Sequence, residues 1–119
     1  MTWKNSWKKF VDKYMKSAVE QIDTSQFEAD EMRRYDIVFS GIVQGVGFRY
    51  EVWTIAQKLQ LTGYVENLPN GTVHAEMQGP KNRILHLIEC MKQIPRIHID
   101  RIEIDELELK EENIFEIAN

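Results

Sequence analysis

The sequence predicts an α+β domain whose strands and helices follow one another in the order β-α-β-β-α-β. Two stretches, at about residues 52–59 and 84–91, repeat apolar side chains at helical spacing. Between them, two segments rich in β-forming residues flank Asn70-Gly71, the strongest short signal for a β-hairpin. A further β-rich segment precedes the first helical stretch, and another follows the second.

The first half of this order is a strand, a glycine-containing turn and a helix. Residues Tyr35 to Ser40 are mostly β-branched or aromatic, which favours the first strand. The segment Gly41 to Arg49 follows and leads into the first helix. The apolar face of that helix consists of Val52, Ile55, Ala56 and Leu59, at positions i, i+3, i+4 and i+7.

The second half begins with the hairpin. Its strands are expected at Thr62 to Leu68 and at Thr72 to Gln78. Pro80 is suited to the start of the second helix, and Pro95 ends that helix. The apolar positions of the second helix are Ile84, Leu87, Ile88 and Met91.

The last part of the chain is expected to contain an irregular strand and a short terminal strand. Four isoleucines alternate with polar residues but change phase once, which predicts a β-bulge or a bend. They are Ile97, Ile99, Ile102 and Ile104. The terminal strand is expected at Ile114 to Ile117. The complete order is that of the ferredoxin-like fold, an antiparallel sheet with two helices on one face, and this fold supports many activities.

Residues 1–33 are expected to form a helical extension ahead of a domain at residues 34–119. Residues 1 to about 22 combine a tryptophan-containing apolar face with a lysine-rich face, the pattern of an amphipathic helix. Thr24, Ser25 and Glu28 have the residue types of a capping box for a short second helix. Three roles stay open for the extension: docking or self-association through the apolar face, contact with an anionic membrane surface, and binding of a partner protein.

The composition limits the classes of function. A net charge of −4 over 119 residues argues against general nucleic-acid binding. Cys90 is the single cysteine, which excludes an internal disulfide and fits a reducing compartment. The sequence has neither an apolar run that could span a membrane nor a signal-peptide pattern at its start, so we expect a cytoplasmic protein. His74, His86 and His98 lack the spacing of metal ligands, and no metal site is expected.

The segment Gly41-Ile-Val-Gln-Gly-Val-Gly-Phe-Arg49 has the features of an anion-binding loop. Gly45 and Gly47 permit a positive φ and close backbone approach, so that successive N–H groups can converge on one anion. The positive end of the following helix reinforces such a site. Arg49 adds a planar fork of donors that suits phosphate oxygens. The segment therefore predicts a ligand that carries phosphate.

Asn67 is the second candidate residue. It closes the run Gly63-Tyr-Val-Glu-Asn67 near the end of a strand, where an amide side chain is a poor β former. The local sequence leaves two interpretations open: an asparagine that begins the turn, or an amide that positions a water molecule or a substrate oxygen.

Together the two motifs resemble the acylphosphatase family. The run Val-Gln-Gly-Val-Gly-Phe-Arg, the later Gly-Tyr-Val-x-Asn strand and the Asn-Gly turn carry the resemblance, which covers about residues 34–119. It places the family's catalytic arginine and asparagine on Arg49 and Asn67. Its phosphate-binding loop falls on Gln44, Gly45, Val46, Gly47 and Phe48. The departures from the family's usual residues are Gln60, Asn70 and Pro95.

The resemblance implies an enzyme that hydrolyses small acyl phosphates, the mixed anhydrides of a carboxylic and a phosphoric acid. Arg49 and the loop N–H groups would bind the phosphoryl group, and Asn67 would orient the attacking water. It implies neither a metal nor a cofactor, because the carboxylate leaves readily and the phosphate itself can accept the proton of the water. The alternative is a catalytically silent member that binds an anion in the same loop and recruits a partner through its N-terminal helix.

Overall fold

The computed structural model describes residues 24–119, which contain a five-stranded sheet and two α-helices. The elements in chain order are a 3₁₀ turn (Thr24–Gln26), β1 (Met32–Ile42), α1 (Phe48–Leu59), β2 (Thr62–Asn67), β3 (Val73–Pro80), α2 (Lys81–Lys92), β4 (His98–Leu107) and β5 (Phe115–Ile117). The predicted β-α-β-β-α-β order with a terminal strand is confirmed. The helix predicted at residues 1 to about 22 lies outside the described residues.

The strands lie side by side in the order β4-β1-β3-β2-β5. The four strands of the β-α-β-β-α-β unit pair antiparallel, as predicted: β1 pairs with β3 and β4, and β2 pairs with β3. β5 joins the free edge of β2 in parallel orientation, with Gly63 opposite Phe115, so the complete sheet is mixed. Parallel neighbours need a long connection, and the chain between β2 and β5 runs through β3, α2, β4 and residues 108–114.

The hydrophobic core lies between the two helices and one face of the sheet. Ile37 and Phe39 of β1 are fully buried there, whereas Asp36 and Val38 alternate with them and face the other side. Burial of one such apolar side chain contributes about 1.5–3 kcal/mol. The predicted apolar faces of both helices are buried in this core: Val52, Ile55, Ala56, Leu59, Ile84, Leu87, Ile88 and Met91.

Helix α1 begins at Phe48, one turn earlier than the apolar repeat from Val52 indicates. Gly47 is its N-cap residue and has a φ of 76°, a left-handed conformation that glycine adopts without steric cost. At the other end, Gln60 has a φ of 59° in the position that glycine usually takes after a helix. A side chain in this conformation costs about 1 kcal/mol.

β4 contains the predicted bulge. Ser40 lies opposite Arg101, and the next residue of β1, Gly41, lies opposite Ile99. Asp100 is therefore the extra residue of the bulge. Because of it, Ile99 and Ile102 both pack against the core, which explains the change of phase in the isoleucine pattern.

Residues 108–114 cross the sheet face that the helices leave uncovered, from β4 at one edge to β5 at the other. The N–H of Lys110 donates to Oε1 of Gln78 at 3.0 Å, and Nε2 of Gln78 donates to the carbonyl of Lys110 at 2.8 Å. Beneath the crossing segment, Arg34 is 1% exposed and forms an ion pair with Glu112. Buried polar contacts thus attach the crossing segment to β1 and β3.

The residues ahead of β1 pack against α2. The predicted second short helix is wrong: Thr24–Gln26 is a single 3₁₀ turn, and residues 27–31 are not helical. The reason is tertiary contact, since Oδ2 of Asp30 accepts a hydrogen bond from the N–H of Asn82 at 3.0 Å, at the start of α2. The predicted division between residues 33 and 34 falls within β1 and stays a prediction. No helix within residues 24–119 is long and apolar enough to cross a membrane.

Candidate active site

The loop between β1 and α1 is anchored in the core at both ends. Val43 and Phe48 are buried, and the ring of Phe48 packs on that of Phe39 with centroids 4.9 Å apart. Between these anchors, Gly45 and Gly47 both have a φ of 76°. Core packing therefore determines where the loop lies, and the two glycines allow its curvature.

The loop ends at the N-terminus of α1, where no side chain caps the helix. The first N–H groups of a helix have no partner within it, and the helix dipole places positive potential at this end. Gly45 and Gly47 line an open cavity of about 270 Å³ next to it. This local structure is suited to bind an anion.

Arg49, in the first turn of α1, lines the same cavity. Its Nη1 donates to Oδ1 of Asn119 at 3.1 Å. A guanidinium carries five N–H donors, so this bond leaves others for a bound anion. The residues that line the cavity are Val43, Gly45, Gly47, Phe48, Arg49, Tyr50, Asn67, Ile117 and Asn119.

Asn67, the last residue of β2, enters the cavity from the side of the sheet. Its N–H donates to Oδ1 of Asn119 at 3.0 Å, and its carbonyl accepts from Nδ2 of Asn119 at 2.9 Å. Its own side-chain oxygen, Oδ1, is buried and has no hydrogen-bond partner among residues 24–119. The side chain of Asn67 therefore brings an unsatisfied polar group to the edge of the cavity.

Two of the residues assigned to the phosphate loop do not line the cavity. Gln44 directs its side chain toward the hairpin turn, where Nε2 donates to the carbonyls of Leu68 and Thr72, both at 2.8 Å. The carbonyl of Val46 accepts a hydrogen bond from Nε of Arg96 at 2.9 Å. The structure thus brings together Gly45, Gly47, Phe48, Arg49 and Asn67 and places the other two outside them.

Asn119 is the principal site residue that sequence reasoning missed. It follows β5, and the N–H of Ala118 donates to the carbonyl of Val65 at 2.9 Å, which brings Asn119 beside the end of β2. Nothing in the local sequence marks this asparagine, because its position depends on the parallel pairing of β5 with β2. Ile117 enters the site for the same reason.

No aspartate, glutamate, histidine or cysteine of residues 24–119 lines the cavity. The polar residues that line it are Arg49, Tyr50, Asn67 and Asn119, beside the backbone of Gly45 and Gly47. Such a set can bind a phosphoryl group and orient a water molecule, but within residues 24–119 no side-chain carboxylate or imidazole lines the cavity as a general base.

One cluster of carboxylate and imidazole groups lies on β1 and β3, outside the cavity. Within residues 24–119, Asp36, His74 and Glu76 bring their ligand atoms within 4.8 Å of one another, outside the cavity. Both ring nitrogens of His74 are already bonded, to Asp36 at 2.6 Å and to Glu66 at 2.8 Å. Burial alone lowers the pKa of His74, but these hydrogen bonds outweigh it and raise the pKa above its ordinary value.

Comparison with known proteins connects this geometry to one family. The Acylphosphatase family model matches residues 35–117. The chain is 44% identical over 81 residues to an acylphosphatase of Acaryochloris marina, an alignment that covers 67% of this chain and 87% of that protein. It is 47% identical over 62 residues to an acylphosphatase of Clostridium beijerinckii, with 52% and 69% covered. The crystal structure of an acylphosphatase from Bacillus subtilis superposes with a TM-score of 0.69 at 34% identity and covers 75% of this chain and 100% of that chain.

Proposed function

This chain belongs to the acylphosphatase family, and on that premise we propose that it hydrolyses the carboxyl–phosphate bond of small acyl phosphates to a carboxylate and inorganic phosphate. The observation that carries the proposal is the meeting of Arg49, from α1, and Asn67, from β2, in one cavity at a helix N-terminus. A cation and backbone donors there suit the phosphoryl group, and the amide beside them suits a water molecule.

In this proposal the loop and Arg49 bind the phosphoryl group. N–H groups of the loop at Gly45 and Gly47 and the first turn of α1 donate to its oxygens, and the guanidinium neutralises charge that develops in the transition state. Removal of one donor of this kind costs about 3 kcal/mol, or roughly a hundredfold in rate, and the loss of Arg49 removes several donors and a positive charge together. Arg49 is therefore the residue whose loss affects turnover most.

Asn67 positions the attacking water. An amide does not take up a proton at neutral pH, but the side chain of Asn67 lines the cavity and can form a hydrogen bond with a water molecule there. The water oxygen forms a bond to phosphorus while the bond between phosphorus and the acyl oxygen breaks. The electron pair of the broken bond leaves with the carboxylate. The proton of the water passes to a phosphate oxygen. The carboxylate is a weak base, so the step needs no general acid.

The proposed setting of the enzyme follows from the sequence. We place it in the cytoplasm, with small acyl phosphates as its substrates and without a metal or cofactor. The roles suggested for residues 1 to about 22 stay predictions: docking or self-association, contact with a membrane surface, and binding of a partner protein.

The test is a turnover assay of the full chain with benzoyl phosphate, followed by ultraviolet absorbance in the presence of a metal chelator. We expect turnover in the parent protein, none with Arg49→Gln, and a severe loss with Asn67→Ala that leaves the affinity for inorganic phosphate nearly unchanged. Arg101→Gln and Asn113→Ala, two exposed positions away from the cavity, are the matched controls. Full activity of either site variant would refute the mechanism. Phosphate binding without turnover in the parent protein would favour a catalytically silent anion-binding module.

A further inference from the structure

A buried ion pair lies against the phosphate-binding loop. Glu51, in the first turn of α1, is fully buried, and Arg96, between α2 and β4, is 13% exposed. The guanidinium Nη2 of Arg96 contacts the carboxylate of Glu51. Neither residue lines the cavity, and neither belongs to the sequence motif that predicted the site.

Arg96 also contacts the loop itself at Val46 and lies close to Gly47. Its Nε donates to the carbonyl of Val46 at 2.9 Å. Its Nη2 would lie 3.6 Å from a Cβ atom placed on Gly47. One planar guanidinium thus joins the carboxylate of Glu51 to the backbone of the loop.

The hydrogen bond to Val46 determines the direction of a neighbouring N–H group. The carbonyl of Val46 and the N–H of Gly47 belong to the same peptide unit, which is trans. In a trans peptide these two groups point in opposite directions. Because Arg96 holds the carbonyl of Val46, the N–H of Gly47 points away from Arg96. Gly47 lines the cavity, so this N–H group is available to a ligand bound there.

A loop with two glycines needs such support. Gly45 and Gly47 gain access to many backbone conformations, so the loop by itself would lose considerable entropy on adopting one of them. Anion binding is strongest when the donors are oriented before the ligand arrives. An external hydrogen bond to the loop carbonyl supplies that orientation.

We propose that Arg96, held in place by Glu51, is a positioning residue that orients the N–H groups of the loop toward phosphate before the substrate binds. This inference rests on the proposed function, because it assigns these residues to the same site. It separates two tasks among the arginines: Arg49 contacts the phosphoryl group, and Arg96 acts on it only through the loop backbone.

A double variant tests the proposal. Arg96→Met alone would leave the buried carboxylate of Glu51 without its cation and could prevent folding. Glu51→Met combined with Arg96→Met removes both charges and keeps the volume, and such replacements of buried pairs are often neutral for stability. The matched control is Arg83→Met, because Arg83 also donates to a backbone carbonyl, that of Leu59 at 3.2 Å, outside the cavity.

The readouts are inorganic phosphate affinity, kcat and KM for benzoyl phosphate, and the phosphate-induced NMR shift of the Gly47 amide, all with the full chain. We expect the double variant to bind phosphate about tenfold more weakly, with a similar rise in KM, a smaller change in kcat and a reduced Gly47 shift. Arg83→Met should match the parent protein. A folded double variant with parental phosphate affinity would overturn the proposal.

The outcome also separates this inference from the proposed function. If the parent protein binds phosphate without turnover, the catalytic function fails, and the phosphate affinities of the same variants still decide the role of Arg96. If the parent protein does not bind inorganic phosphate, both proposals are refuted.

Discussion

Asn119 and Asn67 are joined by two hydrogen bonds that close a ring between a side-chain amide and a backbone. Oδ1 of Asn119 accepts from the N–H of Asn67 at 3.0 Å, and Nδ2 of Asn119 donates to the carbonyl of Asn67 at 2.9 Å. The same Oδ1 accepts from Arg49 at 3.1 Å. One amide therefore sets the distance between the two proposed catalytic residues, which come from different elements of the fold.

Asn119→Ala should lower the turnover of acyl phosphate with little effect on stability. It removes hydrogen bonds to Arg49 and Asn67 at an exposed position, and we expect kcat to fall by about fivefold to tenfold. The measurement is steady-state kinetics together with the urea midpoint of unfolding. Glu116→Ala, an exposed change in β5, is the control and should leave kcat unaltered. An unchanged kcat in Asn119→Ala would show that the two residues keep their positions without it.

Gln44→Ala should destabilise the protein and weaken phosphate binding together. Gln44 ties the loop to the hairpin turn through the carbonyls of Leu68 and Thr72, and its loss leaves both acceptors without this donor. We expect the free energy of unfolding to fall by about 2 kcal/mol, measured by urea denaturation. Gln26→Ala, at an exposed glutamine, provides the comparison. Equal stability of the two variants would contradict a bracing role of Gln44.

Gly45→Ala should weaken phosphate binding, whereas the equivalent change at Gly71 should not. The φ of Gly45 is 76°, and no atom lies within 4 Å of an added Cβ, so the cost is conformational, about 1 kcal/mol. Gly71→Ala in the hairpin turn is a close match, with a φ of 90° and equally open space. We expect similar losses of stability in both, measured by thermal unfolding, and weaker phosphate binding in Gly45→Ala alone. If Gly45→Ala bound phosphate as tightly as the parent protein, Gly45 would not be part of the phosphate-binding loop.

His74 should make stability depend on pH. The hydrogen bonds to Asp36 and Glu66 raise its pKa in the folded protein, so protonated His74 stabilises the fold below the unfolded pKa of about 6.5. That contribution is lost as the pH rises through the folded pKa. Urea unfolding of the parent protein and His74→Gln should differ most at about pH 5.5–6, and the difference should narrow at higher pH. A difference that does not vary with pH would rule out a charged His74.

Much of the fold could be predicted from the sequence because its signals are local. Residues Val52 to Leu59 show their helical face within two turns, and Asn70-Gly71 marks the hairpin by itself. The bulge at Asp100 was also visible, because an extra residue in a strand changes the phase of the apolar pattern on either side. The glycine-rich loop with Arg49 is a continuous motif, so its place in the cavity could be anticipated as well.

The remainder depends on contacts between distant parts of the chain. Asn119 reaches Asn67 because β5 pairs in parallel with β2. A strand of three residues is too short for its sequence to indicate which strand it pairs with. The pairing of Glu51 with Arg96 requires the turn after α2 to lie against the start of α1. The motif predicts Gln44 in the phosphate-binding loop, whereas the direction of its side chain depends on how the hairpin packs.

The parallel pairing of β5 also determines when the site becomes complete. β5 docks on the edge of β2 once residues 108–114 cross the outer face of the sheet, so we expect Asn119 to be among the last groups to reach its position. Contacts that close such long loops form slowly compared with local helices and hairpins. The loop and Arg49 are therefore in the nascent chain well before the partner that aligns them. Full catalytic activity, rather than the first detectable turnover, would then indicate that β5 has docked on β2.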